Sequence, residues 1–489
     1  MQYLIGYDIG SSSVKAALLE ISTGKTLASA HSPSQEMAIS ALHTGWAEQD
    51  PNDWWAELVN ATQLLKAKHA FDPAGVAAIG ISYQMHGLVV VDKAGVPLRP
   101  SIIWCDSRAA KIGDSAFHEM GNDYCLKHFL NSPGNFTASK LKWVKENEPH
   151  IFERIDKAML PGDYIALRMT GEAQTTVSGL SEGILWDFAA EQPAYSLLEH
   201  YGIPVGMIPK LVPTFSKQAI LTKEAATELG LHAGIPVAYR AGDQPNNAFS
   251  LNVLNPGEVA ATAGTSGVIY GVGDRPTFDK QSRVNSFSHV NSTHENPRTG
   301  VLLCVNGTGA LNSWLRRNTG NHTYDGMNRL AAQAPIGSDG LRFLPFGNGA
   351  ERILNNQDRG GTLVGLQFNR HSQAHLFRAG QEGIVFALNY GFRIMNEMGV
   401  KAETVRAGHA NMFLSPVFRD AFANTTGAVV ELYNTDGATG AARGAGIGAG
   451  IYGDAKEAFK GLENVGVVEP NKYLMEEYGA AYAAWASWL

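Results

Sequence analysis

The chain has 489 residues, 44% of them hydrophobic and 17% charged, which is enough material for packed cores and excludes a disordered polymer. Lys and Arg number 39 against 46 Asp and Glu, a formal net charge of −7 with no basic block. That balance argues against a nucleic-acid or anionic-membrane binder, since both need concentrated positive charge. No apolar run approaches about 18 residues, so no membrane span is expected. Cys105, Cys125 and Cys304 form no CxxC pair; they read as small buried hydrophobes rather than a disulfide framework or a zinc knuckle. The N-terminus lacks a basic, then apolar, leader pattern, and a soluble cytoplasmic protein is the expectation. At roughly 100–200 residues per domain, about two to four domains are expected.

Taken in chain order, Tyr3-Leu4-Ile5-Gly6-Tyr7 is predicted as a strand, Gly10-Ser11-Ser12-Ser13 as a turn, and Val14 to Leu19 as a second strand. Ser22-Thr23-Gly24 breaks it before a third. Asp50-Pro51-Asn52-Asp53 suits a helix N-terminus, after which Trp54, Leu58, Ala61 and Leu65 share one face. Two apolar runs, Val76 to Ile81 and Leu88 to Val91, flank Gln84-Met85-His86-Gly87, which is predicted as a loop or strand end. Glu258 to Thr262, Gly264 to Gly267 and Val268 to Tyr270 repeat the opening strand, turn and strand. The repeat predicts an internally duplicated architecture with one nucleotide between the halves, joined near residue 250. Further on, Leu376 to Met398 has a long helical pattern, and Asp436 to Tyr452 reads as a small-residue helix packed closely against something.

The chemistry concentrates at the two hairpins. Asp8 stands at a strand end beside a turn whose backbone N–H groups and hydroxyls can cradle phosphate oxygens, and its carboxylate can hold a hydrated Mg²⁺. Ala263-Gly264-Thr265-Ser266-Gly267 has the same logic. His371 and His375 stand four apart but lack a carboxylate partner in the sequence, so they are not read as a metal site. Trp46 and Trp104 read as core aromatics.

An ordered set of motifs resembles the FGGY carbohydrate kinases of the actin-like superfamily, and within them the members that act on xylulose. Gly6-Tyr7-Asp8-Ile9-Gly10-Ser11 is similar to the first phosphate motif, with Ser11 where Thr is usual. Gly45-Trp46-Ala47-Glu48-Gln49-Asp50-Pro51, Gln84-Met85-His86-Gly87, Asn135 to Trp143, Leu160-Pro161-Gly162-Asp163-Tyr164 and Arg168-Met169-Thr170-Gly171 follow in order. Ala241-Gly242-Asp243 stands where the family keeps its catalytic Asp, and Gly264-Thr265-Ser266 resembles the second phosphate motif. There are departures. Gln244 follows Asp243 where Asn is usual, Ala407-Gly408-His409-Ala410-Asn411 replaces a glycine-rich adenosine motif, and Ser178-Gly179-Leu180-Ser181-Glu182-Gly183 replaces Ser-Asp pairs.

The resemblance implies an α/β fold of two actin-like, ribonuclease H-like domains, with mixed sheets flanked by helices and an active-site cleft between them. The expected domains are residues 1–250, with the sugar site, first phosphate motif and catalytic Asp, and residues 251–489, with the second phosphate motif and adenosine site. It implies ATP-dependent phosphorylation of a ketopentose, D-xylulose at its 5-hydroxyl, with ATP and Mg²⁺ required. Ribulose, another ketose, a polyol, or a catalytically silent nucleotide-gated binding protein stand as alternatives. Asp243 is the implied base, Asp8 the metal residue, and Gln84, Met85, His86, Asp243 and Gln244 the sugar contacts. Gly10, Ser11, Ser12, Lys15, Gly264, Thr265, Ser266, Gly408, Ala410 and Asn411 are the implied nucleotide and phosphate contacts, with Gly440 and Ala441 close by. The partners implied are the sugar and ATP, with no nucleic acid and no membrane; a homodimer is left open.

Overall fold

The computed structural model describes residues 1–489. The chain forms two compact units. The first comprises Met1–Asn252, Phe287–Thr299 and Thr435–Leu462, and the second Val253–Ser286, Gly300–Asn434 and Glu463–Leu489. The change of unit at residue 252 falls beside the join expected near residue 250. The segments 287–299 and 435–462 depart from the contiguous halves, because both return to the first unit. No helix is long and apolar enough to cross a membrane.

The first unit is built on a six-stranded sheet in the order Phe215–Ile220, Pro236–Gly242, Val76–Tyr83, Tyr3–Ile9, Val14–Glu20, Thr26–Ser32. Tyr3–Ile9, Val76–Tyr83 and Pro236–Gly242 run parallel, and each flanking strand pairs antiparallel with its neighbour. Successive residues of a strand face opposite sides of its sheet, and Tyr3–Ile9 uses both. Tyr3, Ile5, Tyr7 and Ile9 join a core with Trp54, Leu58, Ala61 and Leu65 of the helix Pro51–Lys68. That helix starts as predicted, with Asp50 capping the Asn52 N–H and Pro51 in its first turn.

The opposite face, Leu4, Gly6 and Asp8, is covered by the small-residue helix Gly437–Gly448. The approach is close enough that a Cβ on Gly6 would lie 1.9 Å from the Ala438 carbonyl oxygen, and one on Gly80 1.9 Å from that of Ala441. The glycines of this helix meet protein in the same way. A Cβ on Gly440 would stand 2.5 Å from the Ser250 Cβ, and one on Gly444 2.5 Å from the Tyr239 ring. Gly440, expected beside a nucleotide, packs on Ser250 of the helix Asp243–Ser250, and the Ala441 carbonyl meets Gly80 of the sheet.

The second unit repeats the plan. Its sheet runs Asn285–Ser288, Thr299–Val305, Gly267–Gly273, Val259–Ala263, Thr404–Gly408, Val429–Tyr433, Asn464–Val468. Val259–Ala263 pairs antiparallel with Gly267–Gly273 and parallel with Thr404–Gly408, which pairs parallel with Val429–Tyr433. Hairpin, parallel strands and an antiparallel edge thus recur in the same order, as the duplicated sequence pattern predicts. The long helix Gln373–Glu397 and the helix Pro416–Thr426 bury Phe377, Ile384, Phe392, Phe418 and Phe422 against this sheet.

Candidate active site

In the first unit, three parallel strands end in register. Ile9 pairs with Tyr83, and Tyr83 with Gly242. Ligand sites of open α/β sheets lie beyond such carboxyl ends. The three segments that leave these ends are the turn Gly10–Ser13, the loop Gln84–Gly87 and the helix Asp243–Ser250. The fold therefore places Asp8, Gly10, Ser11, Ser12, Gln84, Met85, His86, Asp243 and Gln244 side by side, although they are scattered over 237 positions of sequence.

The phosphate-type turn closes on itself, with the Gly10 N–H donating to the Ser13 carbonyl at 3.0 Å. Asp8 Oδ1 accepts from the Ser82 hydroxyl at 2.9 Å, and its Oδ2 faces Gly437, where a Cβ would come within 2.5 Å. Loss of water raises the Asp8 carboxyl above its ordinary range; Lys15, directly opposite in the hairpin, lowers it, and Asp436 raises it. Lys15 thus acts on Asp8 through its charge while its own side chain is exposed.

Asp243 opens its helix immediately after the strand Pro236–Gly242. Its carboxyl is pushed up to about 7, first by loss of water and then by the Asp8 charge, against hydrogen bonds from Gln244 that favour the ionised form. A carboxyl poised near neutrality is suited to take a proton. Gln244, expected to touch sugar, spends hydrogen bonds on Asp243.

His86 sits in the left-handed backbone region at φ 60°. Its Nδ1 lies 2.9 Å from the Glu182 carbonyl oxygen; a carbonyl only accepts, so Nδ1 carries the proton. The ring is held by Phe136 and Phe287, centroids 4.8 and 5.3 Å away.

Several residues outside the sequence-derived set support this site. Gln49 donates from Nε2 to the Ser11 carbonyl at 2.7 Å, and its Oε1 accepts from Trp54 and Gln84 at 3.1 and 3.4 Å. It stood within a quoted motif, but nothing in one sequence distinguishes its amide from a surface Gln. The Glu182 side chain is 2% exposed, with Oε2 2.7 Å from where a Cβ on Gly242 would stand. Burial holds its carboxyl far above the usual range, and Asp243 and Asp163 push the same way. Lys140 lies buried beneath His86. Trp104, expected in a core, is 44% exposed and donates from its indole N–H to the Ser11 hydroxyl at 3.3 Å. Trp46 does serve packing: Arg108 stacks 3.8 Å over its ring and pairs with Glu48 and Asp106 at 2.7 Å each. Cys105 is exposed rather than buried, because it follows Trp104 in that same loop.

In the second unit, the turn Gly264–Ser266 joins two antiparallel strands and is gripped from behind by the helix Thr308–Asn318. Gly309 and Ala310 N–H groups donate to the Gly264 and Thr265 carbonyls at 2.9 and 3.1 Å. A Cβ on Gly264 would lie 3.5 Å from Asn411 Nδ2, so the second phosphate motif and the adenosine-type motif adjoin within this unit. Gly408 ends its strand, and Asn411, at φ 54°, opens a single 3₁₀ turn, Asn411–Leu414. A full helix begins only at Pro416. The His409 side chain, whose bulk is out of place in such a motif, is exposed, while its N–H bonds the Tyr433 carbonyl at 2.9 Å. Nearby, Glu351 accepts from the Asn306 N–H at 3.0 and 3.2 Å, and burial pushes its carboxyl up to about 7.

His371 precedes the long helix rather than lying on it, and His375 has the carboxylate partner that the sequence left unseen: its Nε2 lies 3.3 Å from Asp339. Nδ1 of His375 is engaged by Ser372 at the helix start, and no group of three or more His, Cys, Asp or Glu side chains forms a metal cluster.

Comparison with known proteins agrees with this geometry. Residues 3–250 match the N-terminal domain model, and residues 259–451 the C-terminal domain model, of the FGGY family of carbohydrate kinases. The chain is 31% identical to the xylulose kinase of Escherichia coli K12 over 90% of its own length and 88% of the relative's. It is 29% identical to the xylulose kinase of Bacillus subtilis 168 over 94% and 90%. A crystal structure of a xyloylose kinase from Brucella ovis superposes with a TM-score of 0.89 at 27% identity, covering 100% of this chain and 98% of that one. With both family domains matched in order and the predicted site residues gathered at the strand ends, the chain belongs to the FGGY family of carbohydrate kinases, and it is a sugar-phosphorylating enzyme that uses ATP.

Proposed function

We propose that the acceptor is a ketopentose, D-xylulose, phosphorylated at its 5-hydroxyl. The observation that carries this reading is the alignment of the Gln84–Gly87 loop and Asp243 on neighbouring strand ends, which offers one sugar both a contact loop and a base. The relatives named xylulose kinases support the choice of sugar.

In the proposed reaction the Asp243 carboxylate accepts the proton as the sugar hydroxyl attacks the γ-phosphorus. The new O–P bond forms in line with breakage of the bond to the β,γ-bridging oxygen, and ADP leaves. Gln244 favours the ionised form of the carboxylate, while Met85 and His86 orient the sugar. Gly10, Ser11, Ser12 and Lys15 in residues 1–250, and Gly264, Thr265 and Ser266 in residues 251–489, are assigned to phosphate oxygens; Gly408, Ala410 and Asn411 are assigned to adenosine. Mg²⁺, when bound, offsets charge on the phosphoryl oxygens. Asp8 fits it: a single carboxylate, partly occupied by Ser82 and walled by Gly437, suits an ion that keeps most of its water.

A coupled ADP-release assay over pentuloses, hexuloses and polyols tests the assignment. D-Xylulose should give the highest kcat/KM; a higher value for ribulose, a hexulose or a polyol would overturn it.

A further inference from the structure

The Gln84–Gly87 loop leaves its strand end and presents His86 from a left-handed backbone conformation that a non-glycine residue holds only when its surroundings enforce it. The enforcement comes from the first turn of the helix Thr137–Asn147. Thr137 Oγ1 donates to the Gly87 carbonyl at 3.2 Å, and Lys140 Nζ donates to the His86 carbonyl at 2.8 Å. The same ammonium donates to the Ile103 carbonyl at 2.9 Å. Ile103 precedes Trp104, the residue whose indole bonds Ser11 in the phosphate-type turn.

Lys140 is completely buried. A buried amine is costly, and burial pushes its ammonium down to about 7, with Asp106 and Cys105 acting in the opposite direction. A methionine or leucine of similar length would fill the same space without that cost. What neither could do is satisfy two main-chain carbonyls from two different loops at once. We propose that Lys140 is a positioning residue of the sugar site, fixing the His86 main chain, and through it the imidazole, with its bond to the Ile103 carbonyl holding the ammonium in place. The inference rests on the reading of His86 as a sugar contact. Lys140 itself touches no substrate in this account; it acts through His86.

A double-mutant cycle separates this role from general scaffolding. Steady-state constants for D-xylulose and ATP are measured for wild type, Lys140→Met, His86→Ala and the double variant. Lys140→Met should raise the xylulose KM about tenfold or more and leave the ATP KM within about twofold. In the His86→Ala background the same substitution should change the xylulose KM by less than about twofold. An equal factor in both backgrounds, or an equal rise in both Michaelis constants, overturns the proposal. Should Lys140→Met not fold, Lys140→Gln, which keeps an N–H donor but falls short of both carbonyls, goes through the same cycle with the same two outcomes at a factor of several. His86→Ala alone leaving the xylulose KM unchanged refutes the sugar-contact reading, and this inference with it, through a variant in which Lys140 is intact.

Discussion

Asp243→Asn separates the roles proposed for one carboxyl. The substitution keeps the shape of the side chain at the first position of its helix but removes the lone pair that takes a proton. Loss of a general base lowers turnover by about 10²-fold or more, with the sugar KM changed only modestly. The wild-type carboxyl, pushed up to about 7 from an ordinary 3.8, must be ionised to act, so kcat/KM should fall as pH drops below about 7. That limb should vanish in the variant. Stability gives an independent reading. Because the folded-state affinity for the proton is raised, the unfolded state binds fewer protons between about pH 4 and 7, and the native protein loses stability as pH rises through that window. At about 1.4 kcal/mol per tenfold change in proton affinity, keeping the charge in the fold costs at most about 4 kcal/mol at pH 8 and less than about 2 at pH 5. Asn carries no such cost. The variant should therefore melt several degrees above wild type at pH 8, and the gap should narrow at pH 5. Calorimetry at the two pH values, beside the ADP-release assay, checks both. Turnover within tenfold of wild type, or a melting difference independent of pH, would refute the assignment.

Asp8→Ala should lose about 10²-fold or more in turnover if, as proposed, its carboxylate holds the Mg²⁺ that offsets phosphoryl charge, while calorimetric titration still finds sugar binding; loss of sugar affinity would place Asp8 in the wrong role. Gly440→Ala should lower the melting temperature, as overpacking against Ser250 typically costs about 1–3 kcal/mol, and should leave the ATP KM unchanged in the protein that folds; a selective rise in that constant would return Gly440 to the nucleotide site. Asn411→Val places a β-branched residue at φ 54° beside Gly264, and should raise the ATP KM several-fold without moving the sugar KM; equal shifts in both would argue against an adenosine role.

The parts of this molecule legible in the sequence are those governed by local rules. The Asp50 cap, the face of Trp54, Leu58, Ala61 and Leu65, and the two hairpins each depend on a few neighbouring residues, and each stands where the pattern puts it. The residues missed at the site depend on partners far along the chain. Lys140 reads as an ordinary helical lysine until Ile103 and His86 are placed above it, and Glu182 reads as a solvated carboxylate until Gly242 arrives beside it. The small-residue helix Gly437–Gly448 is the instructive case, because its composition was legible and its purpose was not. Small side chains permit close approach of either a ligand or another backbone, and composition does not choose between them. Spacing does. Gly440, Gly444 and Gly448 recur every fourth residue, which places them along one side of a helix. There they meet Ser250, the Tyr239 ring and the Ala238 carbonyl in turn, while Ala438 and Ala441 receive Gly6 and Gly80 from neighbouring strands. A ligand at a helix end is touched by one turn; protein elements packed alongside, here the helix Asp243–Ser250 and the sheet, are touched by every turn along its length. A small residue repeated at every turn over the whole helix is therefore the signature of packing against other protein elements, here a helix and a sheet. It also explains why the segment Thr435–Leu462, late in the chain, belongs to the unit formed by the first 252 residues.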